Sequence, residues 1–180
     1  MAIASGTHQL GPDKGSLEIR TYREGMASKA GHDLIIDVTQ WEGTLTVAED
    51  GRPSTLELSA DPRSLEIREG VGGLKPLSDK DRAEIRKNID EKVLGRDPVS
   101  FRSRHLALSA DGSRLTAEGD LTMAGSTRPI TAELAVEAGG RVTGTIPVTQ
   151  SDFGIKPYRG LMGALKVRDS LEVVVDVTPA

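Results

Sequence analysis

The sequence predicts a mostly-β domain: a closed or nearly closed antiparallel barrel of about eight strands, with one helix inserted near residues 78–94. Three observations lead there. Runs of strict apolar–polar alternation recur along the chain, the two-residue period of strands with one face in a core. Short turns containing Gly, Pro or Asp separate these runs, which favours antiparallel neighbours over parallel strands joined by helical crossovers. One segment alone changes to a helical period. A two-sheet sandwich is the alternative architecture.

Taken in order, residues 1–14 contain Gly6, Gly11 and Pro12 without periodicity and are expected to form a loose arm. Ser16–Arg23 reads as the first strand, with Leu17, Ile19 and Thr21 on one face. After a turn over Gly25–Gly31, the stretch from His32 to Val47 alternates throughout, but its parity changes. Leu34, Ile36 and Val38 are even-numbered, whereas Trp41, Gly43, Leu45 and Val47 are odd. One extra residue must be absorbed near Thr39–Trp41, by a bulge or sharp bend, or by a turn between two strands. Asp50-Gly51-Arg52-Pro53 is a turn, Thr55–Ala60 and Leu65–Ile67 are short strands, and the glycine-rich Glu69–Pro76 reads as a mobile loop.

The helix is predicted over Ser78–Leu94. Ser78 and Asp81 have capping-box spacing, Asp79 and Asp81 suit the positive N-terminal dipole, and Gly95 provides the stop. Ile85, Ile89 and Val93 form a thin apolar stripe that Leu94 widens, so the helix should lie on the sheet or cap a barrel end. Val99–Leu108 again changes parity, implying a bulge near Arg104. Asp111-Gly112 turns the chain into Leu115–Met123. Gly125 and Pro129 shape the next connection, followed by a run with Ile130, Ala132, Leu134 and Val136 on one face. Gly139-Gly140 leads into Val142–Val148. Gln150–Gly163 is irregular, and Leu165–Val177 is the last strand.

Length and composition fit one domain spanning residues 1–180. Aromatic residues make up only 3%, so the core must be aliphatic, and a net charge of −4 argues against nucleic acid. The absence of cysteine removes disulfides, thiolate metal sites and cysteine nucleophiles together. Neither a secretory leader nor a transmembrane segment is read, which gives a cytoplasmic protein as the expectation. His8, His32 and His105 lack metal-ligand spacing, and no serine-nucleophile elbow occurs, so no metal and no catalytic residue is expected. The enzyme alternative would use His32 and Asp33, or His105, as acid and base. Ala117, Gly119, Ala132 and Gly144 are small residues at inward positions, and they tip a barrel of this size toward a ligand cavity. The competing reading is a filled barrel that acts as a structural, interaction or stress-associated protein.

The segment Gly119–Ile130, GDLTMAGSTRPI, resembles the central signature of the YceI-like family of polyisoprenoid-binding, lipocalin-like proteins. Asp97–Ser103 resembles the family's "P-x-I-x-F-x-S" strand, Ser151–Ile155 its "D-F-G" segment, and Lys80-Asp81 through Leu94 occupies the place of its helix. Lys80 stands where arginine is usual, Gln150-Ser151 replaces an arginine, and Val93-Leu94 replaces an aromatic pair. The resemblance implies a non-catalytic barrel whose partner is a long-chain apolar small molecule: an isoprenoid quinone, a polyprenyl or a fatty acyl derivative. No cofactor is implied beyond such a bound lipid, and a homodimer is compatible.

On that reading the tunnel is lined by Leu34, Ile36, Trp41, Leu45, Phe101, Gly119, Leu121 and Met123 on the first half of the chain. Ala132, Leu134, Ile146, Phe153, Val173 and Val175 continue it on the second, and Tyr158 and Arg159 sit at the rim. Phenylalanine at position 119 or 132 is expected to leave a folded protein that excludes a long ligand.

Overall fold

Backbone pairing converts the alternating runs into one large antiparallel sheet that curls into a half-barrel, in a computed structural model describing residues 3–179. The strands are β1 (Gly6–Leu10), β2 (Gly15–Thr21), β3 (Arg23–Glu24), β4 (Asp33–Val38), β5 (Trp41–Val47), β6 (Pro53–Ala60) and β7 (Leu65–Val71). After the helix α1 (Asp79–Ile89) come β8 (Val99–Leu108), β9 (Arg114–Met123), β10 (Ser126–Val136), β11 (Val142–Thr149), β12 (Arg159–Gly160), β13 (Leu165–Val167) and β14 (Ser170–Val177). The large sheet has the order β1-β5-β6-β8-β9-β10-β11-β14-β2-β4-β7, and β12-β13-β3 form a second, small sheet.

The parity change at Thr39–Trp41 is a corner. β4 runs into β5 through Thr39 and Gln40, and β6 runs into β7 through a 3-10 turn at Pro62–Ser64, yet the two halves lie near opposite ends of the strand order. One long hairpin is therefore bent so that it belongs to both ends of the sheet. The Thr39 and Gln40 amides donate to Ser64 O and Ser64 Oγ, both at 3.0 Å, and the Asp61 amide donates to Gln40 O at 3.0 Å. The large sheet holds eleven strands where about eight are expected, because the chain breaks at both corners and β1 is added at one edge.

The second parity change is a bulge. Ser103 pairs with Gly119 and His105 with Glu118, which leaves Arg104 as the extra residue. A further bulge was not foreseen: Ile35 pairs with Glu69 and Ile36 with Ile67, leaving Arg68 unopposed. Its guanidinium bonds Glu18 and lies 3.1 Å from Asp37.

Other expectations need correction. The N-terminal segment is not a loose arm throughout, because Gly6–Leu10 pairs with β5 from Gly6–Val47 to Leu10–Gly43. Its ladder uses main-chain groups, so side-chain periodicity gives no hint of it. The hairpin turn is Ala124-Gly125, with φ of +51° and +77°, and Ser126 and Thr127 are already paired with Met123 and Thr122. The last long strand begins at Ser170. Leu165–Val167 instead joins the small sheet through Lys166–Glu24 and Val167–Arg23. Of the expected Glu69–Pro76 loop, Glu69–Val71 is the end of β7 paired with β4, and the rest is held in place, since the His32 Nε2–H donates to Lys75 O at 2.6 Å and Arg23 donates to Val71 O at 3.3 Å.

β10 and β11 pair only through Ala135–Thr143 and Val136–Val142. Pro129, which has no N–H to donate, falls where β10 has no partner on that side. The 3-10 turn Gln150–Phe153 covers the gap, and Arg128 Nε donates to Asp152 O at 2.8 Å.

The capping box forms as expected, with Asp81 N–H donating to Ser78 Oγ at 3.1 Å and Ser78 N–H to Asp81 Oδ2 at 2.9 Å. The helix continues as a π turn over Asp90–Leu94 and ends at Gly95, φ +69°. Ile85 and Ile89 pack toward Ile36, Leu65 and Ile67, while Val93 and Leu94 pack toward Met123 and Phe153. No residue of α1 is fully buried, because open space lies beneath its apolar stripe.

Outside the barrel, Glu18 is buried beneath two arginines. Burial pushes its carboxyl up, but hydrogen bonds from Arg20 Nε, at 2.6 Å, and from Arg68 outweigh this and hold it below the ordinary glutamate range. A depressed folded-state pKa adds stability that is complete above the unfolded pKa and vanishes as pH falls through the folded one. Glu18→Gln should cost on the order of 1 kcal/mol at neutral pH, since both arginines are half exposed and screened. Melting curves of the two proteins are expected to stay separated above about pH 5 and to converge as pH falls through the lowered Glu18 pKa.

Candidate functional site

Three apolar clusters face the space enclosed by the sheet. One spans the β8–β9–β10 wall and β5, around Leu45, Phe101, Leu115, Ala117, Ala132 and Leu134. The others, around Met123 and Phe153 and around Ile36 and Leu65, lie toward the helix. Between them is a cavity of about 800 Å³. That volume falls at the upper end of the range for small-molecule sites. The sheet thus encloses open space rather than a core packed throughout.

The inward faces predicted from alternation form the wall. Leu34 and Ile36 come from β4, Trp41 and Leu45 from β5, Phe101 from β8, and Leu121 and Met123 from β9. Ala132 and Leu134 come from β10, Ile146 from β11, and Val173 and Val175 from β14. Tyr158 also borders the cavity.

Three predicted positions do not. Phe153 is 3% exposed and lies behind the wall, where it seals the β10–β11 gap with Met123, Val148 and Ile155. Arg159 is exposed in β12 and does not border the space. Gly119 is covered: a Cβ there would come within 2.3 Å of Arg102 O and 2.7 Å of the Phe101 ring. Gly144 is similar, with its missing Cβ 2.5 Å from Leu134 Cδ2. These glycines admit neighbouring groups, whereas Ala117 and Ala132 border the open volume.

Sequence reading missed the mouth. Leu74–Leu77 from the glycine-rich loop, Ala30–His32, and Leu165–Val167 of the small sheet border the cavity, as do Asp81, Glu84 and Asn88 of the helix. The available signal was the presence of Leu74 and Leu77 in a segment without alternation. Leu74 and Tyr158 are 79% and 41% exposed, so the cavity reaches the surface between them. Polar side chains gather at this end, including Arg23, His32, Lys75 and Lys166.

His32 and Asp33 do not act on one another: His32 Nε2–H is given to Lys75 O, and Asp33 Oδ1 accepts the Arg23 amide at 2.8 Å. His8 bonds Ala4 O at 2.7 Å, and His105 lies on the exposed side of the β8 bulge. The histidines are thus dispersed, and among the described residues no cluster of His, Asp and Glu could hold a metal ion.

The Trp41 indole is 6% exposed, and among the described residues its covered Nε1–H has no acceptor. A buried unpaired donor costs about 1–3 kcal/mol. Trp41→Phe, which removes the donor while keeping an aromatic ring, should therefore change unfolding free energy by less than about 1 kcal/mol in urea titration. Trp41→Leu, which removes far more packing, should cost about 3 kcal/mol.

The YceI-like domain model matches residues 26–178. The chain belongs to the YceI-like family. Solved structures with the same architecture include Burkholderia cenocepacia BcnA, 14% identical, with a TM-score of 0.61 over 89% of this chain and 94% of that one. The Campylobacter jejuni YCEI protein is 11% identical, with a TM-score of 0.54 over 79% and 81% of the two chains. A cysteine mutant of a CJ YCEI protein, made for nanotechnology applications, is 10% identical, with a TM-score of 0.58 over the same shares. No curated protein matches the sequence. A lipid-binding barrel is the general function that membership in this family supports. Among the described residues no helix of this YceI-like barrel is long and apolar enough to cross a membrane.

Proposed function

We propose that the protein binds and carries one long apolar chain, an isoprenoid quinone, polyprenyl or fatty acyl derivative, within the barrel. The observation that supports this best is the cavity of about 800 Å³ walled by Leu, Ile, Val and Met side chains. Each buried CH₂ contributes about 0.8 kcal/mol, so about ten methylenes contribute about 8 kcal/mol toward the 4–15 kcal/mol cost of association. Affinity then grows with chain length more than with head-group chemistry. Polar groups at the mouth, Tyr158 and Lys166 among them, stand where a head group would emerge, while the tail fills the space beside Ala117 and Ala132.

The test is denaturing mass spectrometry of an organic extract of the purified protein. One lipid per chain is expected, and a ubiquinone or long-chain fatty acid added to delipidated protein should raise the melting temperature. An empty extract together with no thermal shift from either compound would sink the reading.

A further inference from the structure

Large apolar side chains left in water gather beside the cavity mouth. Met26, Leu74, Leu161 and Met162 are 100%, 79%, 61% and 107% exposed. The Ala27 amide next to Met26 donates to Ala164 O at 2.8 Å, and the Ala164 amide donates to Leu161 O at 3.1 Å, which places Met26 alongside the Leu161–Gly163 turn. From the same small sheet Arg23 Nη1 donates to Gly31 O at 2.6 Å and Val71 O at 3.3 Å, drawing the Leu74 loop to that side.

Leu161 and Met162 hold φ of +48° and +57°. Side chains other than glycine, asparagine and aspartate rarely occupy this left-handed region, and here it presents two large apolar groups outward.

The charge along the segment that carries Leu161 and Met162 is one-sided, while Asp33 pairs with Arg23 beside it. From Gly154 to Arg168 the chain carries Lys156, Arg159, Lys166 and Arg168 with no Asp or Glu, in a protein of net charge −4. Lys29 and Lys75 stand in the adjoining loops. Glu24, opposite Lys166 in the small sheet, is the acid nearest in register, and Asp81 and Glu84 lie on the helix side of the mouth.

We propose that this face docks on the surface of an anionic phospholipid bilayer. Met26, Leu74, Leu161 and Met162 enter the interface, and the surrounding cations meet the head groups. An apolar fringe bordered by cations is the pattern of interfacial membrane binding. Each Lys or Arg near such a surface strengthens binding about fivefold, an attraction that salt screens. Docked this way, the mouth opens toward the bilayer, and an apolar chain moves between membrane and cavity without crossing water. That last consequence rests on the carrier reading, while the docking rests on the surface alone.

The experiment is flotation of the full chain with vesicles of phosphatidylcholine and with vesicles containing one third phosphatidylglycerol. The expected result is partition to the phosphatidylglycerol vesicles that weakens at high salt. It should fall at least tenfold in L161E/M162E and about fivefold or more in Lys156→Glu, with melting temperatures unchanged. The lipid extract of each preparation reports the carrier reading separately. Absence of partition, or equal partition by L161E/M162E, overturns the proposal. So does a concentration-dependent dimer in sedimentation that L161E/M162E abolishes, since the face would then belong to a second copy.

Discussion

Ala132→Phe is expected to yield a folded protein that has lost its extractable lipid. Ala132 is 6% exposed, pairs with Ala117 across β9 and β10, and borders the cavity. A benzyl group placed there meets open space, so the cost should stay below the 1–3 kcal/mol typical of overpacking a dense core. It also occupies volume that a bound chain would need. Melting temperature and the stoichiometry of the extract, measured on one preparation, check the two halves together. A variant that melts normally and still yields one lipid per chain would move the ligand elsewhere. A variant that unfolds would mean that the volume beside Ala132 is not available to a side chain.

Gly119→Phe, by contrast, is expected not to fold, which reverses the expectation drawn from sequence. The smallest substitution, Gly119→Ala, should already cost about 3 kcal/mol, since its Cβ would sit 2.3 Å from the Arg102 carbonyl at the edge of the Arg104 bulge. For a chain of this length that corresponds to a fall in Tm of about 6–12 °C. Truncating the ring in Phe101→Ala should restore little of the loss, because the main-chain oxygen remains in place. Full restoration by that second change would instead identify the ring as the obstacle.

These two small residues mark how far sequence reading reaches. Alternation assigned inward faces correctly along β2, β4, β5, β6, β8, β9, β10, β11 and β14, because burial on one side of a pleated strand forces period two. Odd–even changes located two of the irregularities, the Thr39–Gln40 corner and the Arg104 bulge, for the same reason, but not the bulge at Arg68. The capping box at Ser78 was readable because its two hydrogen bonds depend on spacing alone.

Alternation says which way a side chain points but not what stands opposite. Ala132 faces space and Gly119 faces a carbonyl, and in sequence both are simply small. Phe153, expected on the tunnel from the family resemblance, backs the wall instead, since the gap it seals depends on how briefly β10 and β11 pair. β1 escaped notice because an edge ladder needs no apolar side chain. The mouth escaped because loops from three distant parts of the chain build it.

The bent hairpin bears on how the barrel is reached from the unfolded chain. β4 to β7 lie within one contiguous stretch and can pair early, with little loop to close, and so can β8 with β9 and β9 with β10. The ladder between β2 and β14 matches Arg20 with Glu172, nearly the full chain apart. Since the corner already joins the two ends of the strand order covalently, the loop-closure entropy is concentrated in that one seam. Its pairing is the step that should set the folding rate.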